Sequence, residues 1–364
     1  MPEHYASPFR PGHGVRPLVL GGHAELLTRL QAVFDHGDFA GLHAVLLAGV
    51  RGSGKTSMLS EITARAEDKA WITMETTASK GFSDRLASST VPKKINELDN
   101  PARLRLKSIS LSLHRMLELG LEQTPERKAV DTLASDLVTL GAVHPDRGIL
   151  IDKLVTGPQL TFMQRARTEQ FYLFDYDETK RVLDQTAARG GRSVDPEALD
   201  YMAAASQGNP YLIQLVGDEA WRHDVEAPTI DMSSAQEGAR RMMARIENEV
   251  LNSTVQDLSE KDREFIDALA AEPEGPVKIG TIVGAMGKSS QYVEQYRLRL
   301  INSGCVIPVD SDGSLRHPDE RGAGYVAFAL PHLRSYVRKL NEGLLPSTPA
   351  MNRGHFPSPP VELA

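Results

Sequence analysis

One cysteine in 364 residues excludes an internal disulfide and any metal site built from several thiolates. Cys305 therefore reads as a small buried apolar residue. Long hydrophobic runs are also missing: no stretch of about 18 apolar residues occurs. Met1 to Leu20 is interrupted by Pro, His and Arg, so neither a membrane span nor a signal peptide is expected. The expected location is the cytoplasm. Positive charge is not in excess, the formal net charge being −7, so any nucleic-acid contact has to be local rather than a property of the whole surface. What remains is an ordinary globular composition, 41% hydrophobic and 24% charged, with length enough for two or three domains.

The strongest local signal is Gly49-Val50-Arg51-Gly52-Ser53-Gly54-Lys55-Thr56, which satisfies G-x-x-x-x-G-K-[ST] at every required position. An apolar run, Ala44 to Ala48, precedes it and reads as a buried strand. Ser57 to Ile62 follows and reads as a helix opening. Gly49, Gly52 and Gly54 let the backbone turn tightly with Ser53 in the loop. The N–H groups running into Ser57 then form an anion nest at the positive end of the helix. Lys55 supplies a mobile charge for the β- and γ-phosphates of ATP, and the Thr56 hydroxyl a ligand for Mg²⁺.

Alternating apolar runs and amphipathic stretches around this loop predict an α/β class, a P-loop NTPase parallel sheet. The expected organisation is an N-terminal tail over 1–17, a nucleotide-binding core over 18–165, a helical lid over 166–233, a linker helix over 234–257, a winged helix-turn-helix over 258–340 and a tail over 341–364. Both tails have the composition of unpacked chain. The last domain opens with a capping box at Ser259 and Asp262. Two helices joined at Gly287 and two strand-like runs, Cys305 to Val309 and Tyr325 to Leu330, complete it.

These features together resemble bacterial AAA+/STAND-type ATPases of the origin-recognition-like kind, in which a P-loop core and a helical lid precede a winged helix. The resemblance spans roughly Leu18 to Leu340. It implies a nucleotide sensor at Gly208-Asn209-Pro210 on the lid, with Pro210 near the base or sugar, and it places a Gly-Arg box at Leu20 to Leu26, where Gly22 stands in the arginine's position. The family also carries a strand ending Asp-Glu, the Asp on the Mg²⁺ shell and the Glu polarising water. Here Ile149-Leu150-Ile151-Asp152 is the candidate strand, and Lys153 follows. Only about ten residues separate Asp152 from the lid entry at Phe162, fewer than a crossover needs. Either the catalytic or the sensor strand is therefore expected to be missing, with 148–154 readable as the segment just before the lid. Arg165 and Arg167 resemble γ-phosphate-contacting arginines; a solvated helix face explains them equally.

For double-stranded DNA the candidate contacts are Lys288, Ser289, Ser290, Gln291, Gln295 and Arg299 on the third helix, with Arg316, His317 and Arg321 in the wing. The expected function is an ATP-binding protein whose nucleotide state moves the winged helix on DNA, with slow ATP hydrolysis resting on Lys55 and Asp152. The alternative is a catalytically inert nucleotide-binding scaffold or regulator working through protein contacts, as a homo-oligomer or with another protein.

Overall fold

The computed structural model describes residues 6–12, 14–37, 42, 45–50, 52–78, 86–91, 93–94, 149–155, 167–313 and 324–344; at 75–78, 86–87, 149 and 151–155 it describes the backbone alone. The architecture is mixed α/β with short sheets and many helices. The described residues fall into two compact units. One comprises the residues up to Gly22, Leu47–Ser57 and those from Thr168 onward; the other comprises His23–Leu46 and Met58–Arg167.

In the smaller unit, α1 (Ala24–His36) buries Leu26, Leu27, Leu30, Val33 and Phe34, the stripe that its 3.6-residue spacing predicts. It stops at Gly37, whose φ of 70° suits a residue without a β-carbon. Trp71 packs edge-on against Phe34 at 5.1 Å and donates Nε1 to the Phe34 carbonyl at 3.1 Å. Strand β1 (Val45–Gly49) and helix α2 (Lys55–Asp68) flank the phosphate loop. β2 (Ile72–Ala78) pairs in parallel with β3 (Ile149–Val155), in a register that sets Glu75 opposite Asp152.

β4 (Arg167–Phe171) lies beside β1 in a two-stranded sheet. This corrects two sequence expectations. Residues 167–171, within the span expected to be a helical lid, form a strand, and it is this segment rather than 148–154 that precedes the helices from Tyr176 onward. The pairing joins residues far apart in the chain, and the carbonyl of Phe171 comes so close to Gly49 that any β-carbon there would collide with it.

The larger unit continues with α3 (Tyr176–Arg189), β5 (Ser193–Val194), α4 (Pro196–Ser206), α5 (Pro210–His223), β6 (Thr229–Ile230) and α6 (Met232–Ile246). Its core includes Val182, Leu183, Met202, Ile213, Leu215 and Trp221. The sequence reads 234–257 as a polar linker, but Ala235, Ala239, Met242, Met243 and Ile246 are buried in that same core. Gly238 lets α6 approach α5 closely, since a β-carbon there would lie 2.7 Å from the Ala220 nitrogen. The N-terminal segment also differs from the unpacked tail expected over 1–17. Phe9 is only 3% exposed, edge-on to Trp221 at 6.5 Å, and the Arg10 N–H donates to Gln214 Oε1 at 3.0 Å.

A π-helical turn (Glu247–Leu251) and α7 (Asn252–Gln256) lead to α8 (Glu260–Ala271), β7 (Val277–Lys278), α9 (Ile279–Met286), α10 (Ser290–Asn302), β8 (Val306–Val309), β9 (Tyr325–Phe328) and α11 (Leu333–Asn341). The three strands form an antiparallel sheet of order β7-β9-β8. Ser259 and Asp262 form a reciprocal cap on α8. Phe265, Ile266, Leu269, Val293 and Leu300 join the core that contains the lid helices, so these elements share one hydrophobic interior. Among the described residues, no helix is long and apolar enough to cross a membrane. Arg51, Arg165, Arg316, His317, Arg321 and the tail from 345 lie outside the described residues.

Candidate nucleotide site

The loop between β1 and α2 has the backbone that its glycines permit. Gly49, Gly52 and Gly54 have φ values of 148°, 82° and 89°, a region where a β-carbon is strained. Ser53 is 2% exposed and donates its hydroxyl to the Val50 carbonyl at 2.8 Å, closing the turn from inside. Lys55 opens α2, with no carboxylate in that helix's first turn, so nothing there opposes an incoming anion at the positive helix end.

Lys55 folds back over the loop. Its Nζ donates to the carbonyls of Gly49 at 2.9 Å and Val50 at 2.6 Å and reaches Ser53 Oγ at 3.3 Å. Among the described residues no carboxylate pairs with it. Burial pushes its pKa below the ordinary lysine value, because an ammonium surrounded only by neutral acceptors has exchanged water for weaker stabilisation. The methyl group of Thr56 lies against Gly14 of the N-terminal segment, where a β-carbon would come within 3.2 Å. Among the described residues no group of His, Cys, Asp and Glu could by itself hold a metal ion.

The lid motif sits on the loop. Gln207 and Gly208, with φ of 50° and 68°, reverse the chain into α5. The Gly208 carbonyl accepts the Phe174 N–H at 2.8 Å. Asn209, 3% exposed, caps α5 by accepting the N–H groups of Tyr211 at 3.0 Å and Leu212 at 3.2 Å on Oδ1. Its carboxamide lies over Gly52, where a β-carbon would be 2.8 Å from Nδ2. Pro210 occupies the first turn of α5, its ring within 3.8 Å of a β-carbon at Gly54. The expected base-or-sugar residue is thus placed against the phosphate loop.

At the Gly-Arg box, an arginine at 22 would be strained and tightly placed. Gly22 has φ 64°, and a β-carbon there would meet the Phe174 ring at 3.2 Å. Its N–H donates to Glu178 Oε1 at 2.7 Å. Arg181 grips the same carboxylate through Nε to Oε2 and Nη2 to Oε1, each at 2.6 Å, and Nη2 also reaches the Leu20 carbonyl at 3.3 Å. Phe174, Glu178, Arg181 and Asn209 are residues that sequence reasoning missed or left without a role. The only advance signals were the break at Gly208-Asn209-Pro210 and the acidic first turn of α3.

Asp152 belongs to β3, in the other unit, and is described through its backbone register with Glu75 alone. Arg167 opens β4 and is exposed. On α10, Ser290, Gln291, Gln295 and Arg299 are all exposed. Arg299 is nevertheless engaged: Nη2 donates to Asp262 Oδ2 at 2.7 Å, and the guanidinium lies 5.6 Å from the Tyr296 ring centre.

Residues 248–337 match a family described as a domain of unknown function, DUF8462. No curated protein matches the chain. Among solved structures, the chain is similar to the RuvB Holliday junction branch migration motor of Thermotoga maritima, at 16% identity over 84% of this chain and 96% of that one, with a TM-score of 0.38. It is similar to Orc1 of Aeropyrum pernix, solved in complex with DNA, at 14% identity over 90% and 94%, TM-score 0.37. It is also similar to a Walker-type ATPase of Pyrococcus abyssi, at 12% identity over 92% and 99%, TM-score 0.54. At that last score the likeness is one of fold alone: the chain shares the mixed α/β fold of that structure.

Proposed function

We propose that this chain is an ATP-binding protein of the AAA+/STAND kind whose nucleotide state is coupled to a C-terminal winged helix associated with double-stranded DNA. The observation that carries the nucleotide reading is Lys55, a half-buried ammonium held only by neutral acceptors of its own loop. A phosphate would replace weak carbonyl partners with a charge-assisted bond and reverse the effect of burial on the lysine. Thr56, directly after Lys55 in the first turn of α2, is the residue we assign to Mg²⁺, with Asp152 as a second ligand. A hydroxyl and a carboxylate are hard oxygen donors and fit that ion. Bound there, Mg²⁺ would neutralise charge on the phosphates.

Coupling to the C-terminal part is supported by the shared core, in which α4, α5 and α6 pack in one interior with α8 and α10. Three helices with a β7-β9-β8 antiparallel sheet support the winged-helix reading. We propose slow hydrolysis, because Lys153 stands where the family's glutamate would polarise water, and an ammonium cannot take its proton at neutral pH.

Calorimetric titration of the full chain with ATP and Mg²⁺ tests this. Binding that weakens about tenfold or more in Lys55→Ala is expected, charge-assisted bonds being worth about 1.5–3 kcal/mol. No binding at millimolar ATP would sink the nucleotide reading. Phosphate release abolished by Asp152→Ala would assign turnover to that carboxylate. For DNA, affinity of the full chain for a duplex should fall with rising salt, and a flat or absent response removes DNA from the proposal.

A second reading, an inert nucleotide-binding regulator acting through protein contacts, is favoured by the engagement of Arg299 with Asp262. That pair already gives Arg299, an exposed cation of α10, a carboxylate partner with which a phosphate backbone would have to compete.

A further inference from the structure

We propose that Asn209 is itself a phosphate-binding residue: its Nδ2 donates to the terminal phosphates of the nucleotide held at 49–56, tying phosphate occupancy to the start of α5. The inference rests on the nucleotide reading above. It adds a contact from the lid that lies on the loop itself.

The orientation of the carboxamide is decided by its partners. Oδ1 accepts two backbone N–H groups at the N-terminus of α5, which only an oxygen can do, so the amide nitrogen must be the other end. That nitrogen is the atom nearest the loop, 2.8 Å from a β-carbon position at Gly52 against 3.1 Å for Oδ1. Asn209 is 3% exposed, and no hydrogen bond from Nδ2 occurs among the described residues. Its two donors are unspent among the described residues, and an acceptor-rich group arriving at the loop would engage them. The place it faces is the turn that also presents Lys55 and the N-terminus of α2, and phosphate oxygens are acceptors only.

The cap alone does not account for the residue type. Asp and Ser cap helices as well as Asn does, and the cap here uses only the oxygen. What Asn adds is the N–H₂ group, neutral and therefore compatible with an anion. The helix's own first donors are unavailable, since Pro210 has no N–H and those of Tyr211 and Leu212 are held by Oδ1. The carboxamide thus stands in for the helix end, and pulling on Nδ2 pulls on the residue from which α5 starts. Movement of bound phosphate is in this way transmitted to a helix whose Leu212, Ile213 and Leu215 are buried in the core shared with the C-terminal helices.

The test uses the full chain with ATP and AMP, in the wild type and in Asn209→Asp and Asn209→Ser. Both variants keep a capping oxygen; neither keeps the amide donors. The expected result is an unchanged melting temperature without ligand. ATP binding should weaken about tenfold in Asn209→Ser, the loss of one hydrogen bond to a charged group. It should weaken further in Asn209→Asp, where a carboxylate faces the phosphates, while any AMP affinity stays at the wild-type value. ATP affinity unchanged in both variants overturns the proposal. So does a loss of ATP binding that comes with an equal loss of AMP binding or a lowered melting temperature, since that assigns Asn209 to the cap alone. A wild-type chain that binds no ATP is a separate result: it fails the nucleotide reading and takes this inference with it.

Discussion

The carboxylate of Glu178 accepts the backbone N–H of Gly22 at 2.7 Å, joining positions 156 residues apart in the chain. Arg181 holds that carboxyl below its ordinary value of 4.5; burial opposes it, and the Gly22 N–H adds to the lowering. A carboxyl depressed in the folded state takes up protons later than it does in the unfolded chain. Its stabilising contribution is therefore complete above about pH 4.5 and is lost as pH falls through the lowered folded value. Urea midpoints measured from roughly pH 6 down to pH 3 should drop in the wild type, and less steeply in Glu178→Gln. Identical pH profiles for the two proteins would show that this contact contributes nothing to acid sensitivity.

Gly52 and Gly191 have similar backbones, φ 82° and 86°, but a β-carbon at Gly191 would meet nothing within 4 Å, whereas one at Gly52 would run into Asn209. Gly191→Ala should cost about 1–2 kcal/mol, the left-handed penalty alone. Gly52→Ala should cost more by about 1 kcal/mol, because the Asn209 cap is displaced as well. Equal losses in denaturant titrations would mean that the lid motif yields freely.

Arg299 and the nearly buried Asp262 form a pair whose carboxylate also receives the Ser259 hydroxyl at 2.6 Å. Arg299→Ala should destabilise the chain by about 1–3 kcal/mol, since a desolvated carboxylate loses its charged partner. A double-mutant cycle with Asp262→Ala should yield a coupling energy of about 1 kcal/mol. A stable Arg299→Ala protein with weakened DNA binding would instead show that the arginine serves a ligand.

Phe9 fills a space bounded by Gly217 and Trp221. Phe9→Ala should lower stability by about 3 kcal/mol. At least the same loss should appear if residues up to 12 are removed, because the buried Pro8 against Gly190 and the Arg10 N–H bond to Gln214 go with the ring. A melting temperature equal to the wild type in both proteins would make the segment an unpacked tail after all.

Much of the loop was legible because its requirements are local. Three glycines, a lysine and a threonine in eight consecutive positions demand particular backbone angles wherever they occur, and the turn has those angles. The Ser259–Asp262 cap and the stripe of α1 were legible for the same reason, each depending on residues three or four apart. The burial of α6 was present in the sequence but masked by its charged residues: Ala235, Ala239, Met242, Met243 and Ile246 recur at helical spacing between arginines and a glutamate. What no spacing shows is that Gly238 lets α5 come close. The anchoring of the N-terminal segment was hidden too, since one phenylalanine among prolines and glycines carries no periodicity.

By itself, then, the sequence determined a glycine-rich loop between a strand and a helix and the helix caps, because each depends on near neighbours along the chain, and its single cysteine excluded an internal disulfide. Only the tertiary structure decided that 167–171 is the strand beside the loop, that Phe174 and Glu178 occupy the Gly22 corner, and that Asn209 rests on Gly52. Those contacts join residues far apart in sequence, and which of them form is settled by how the helices pack around a common core.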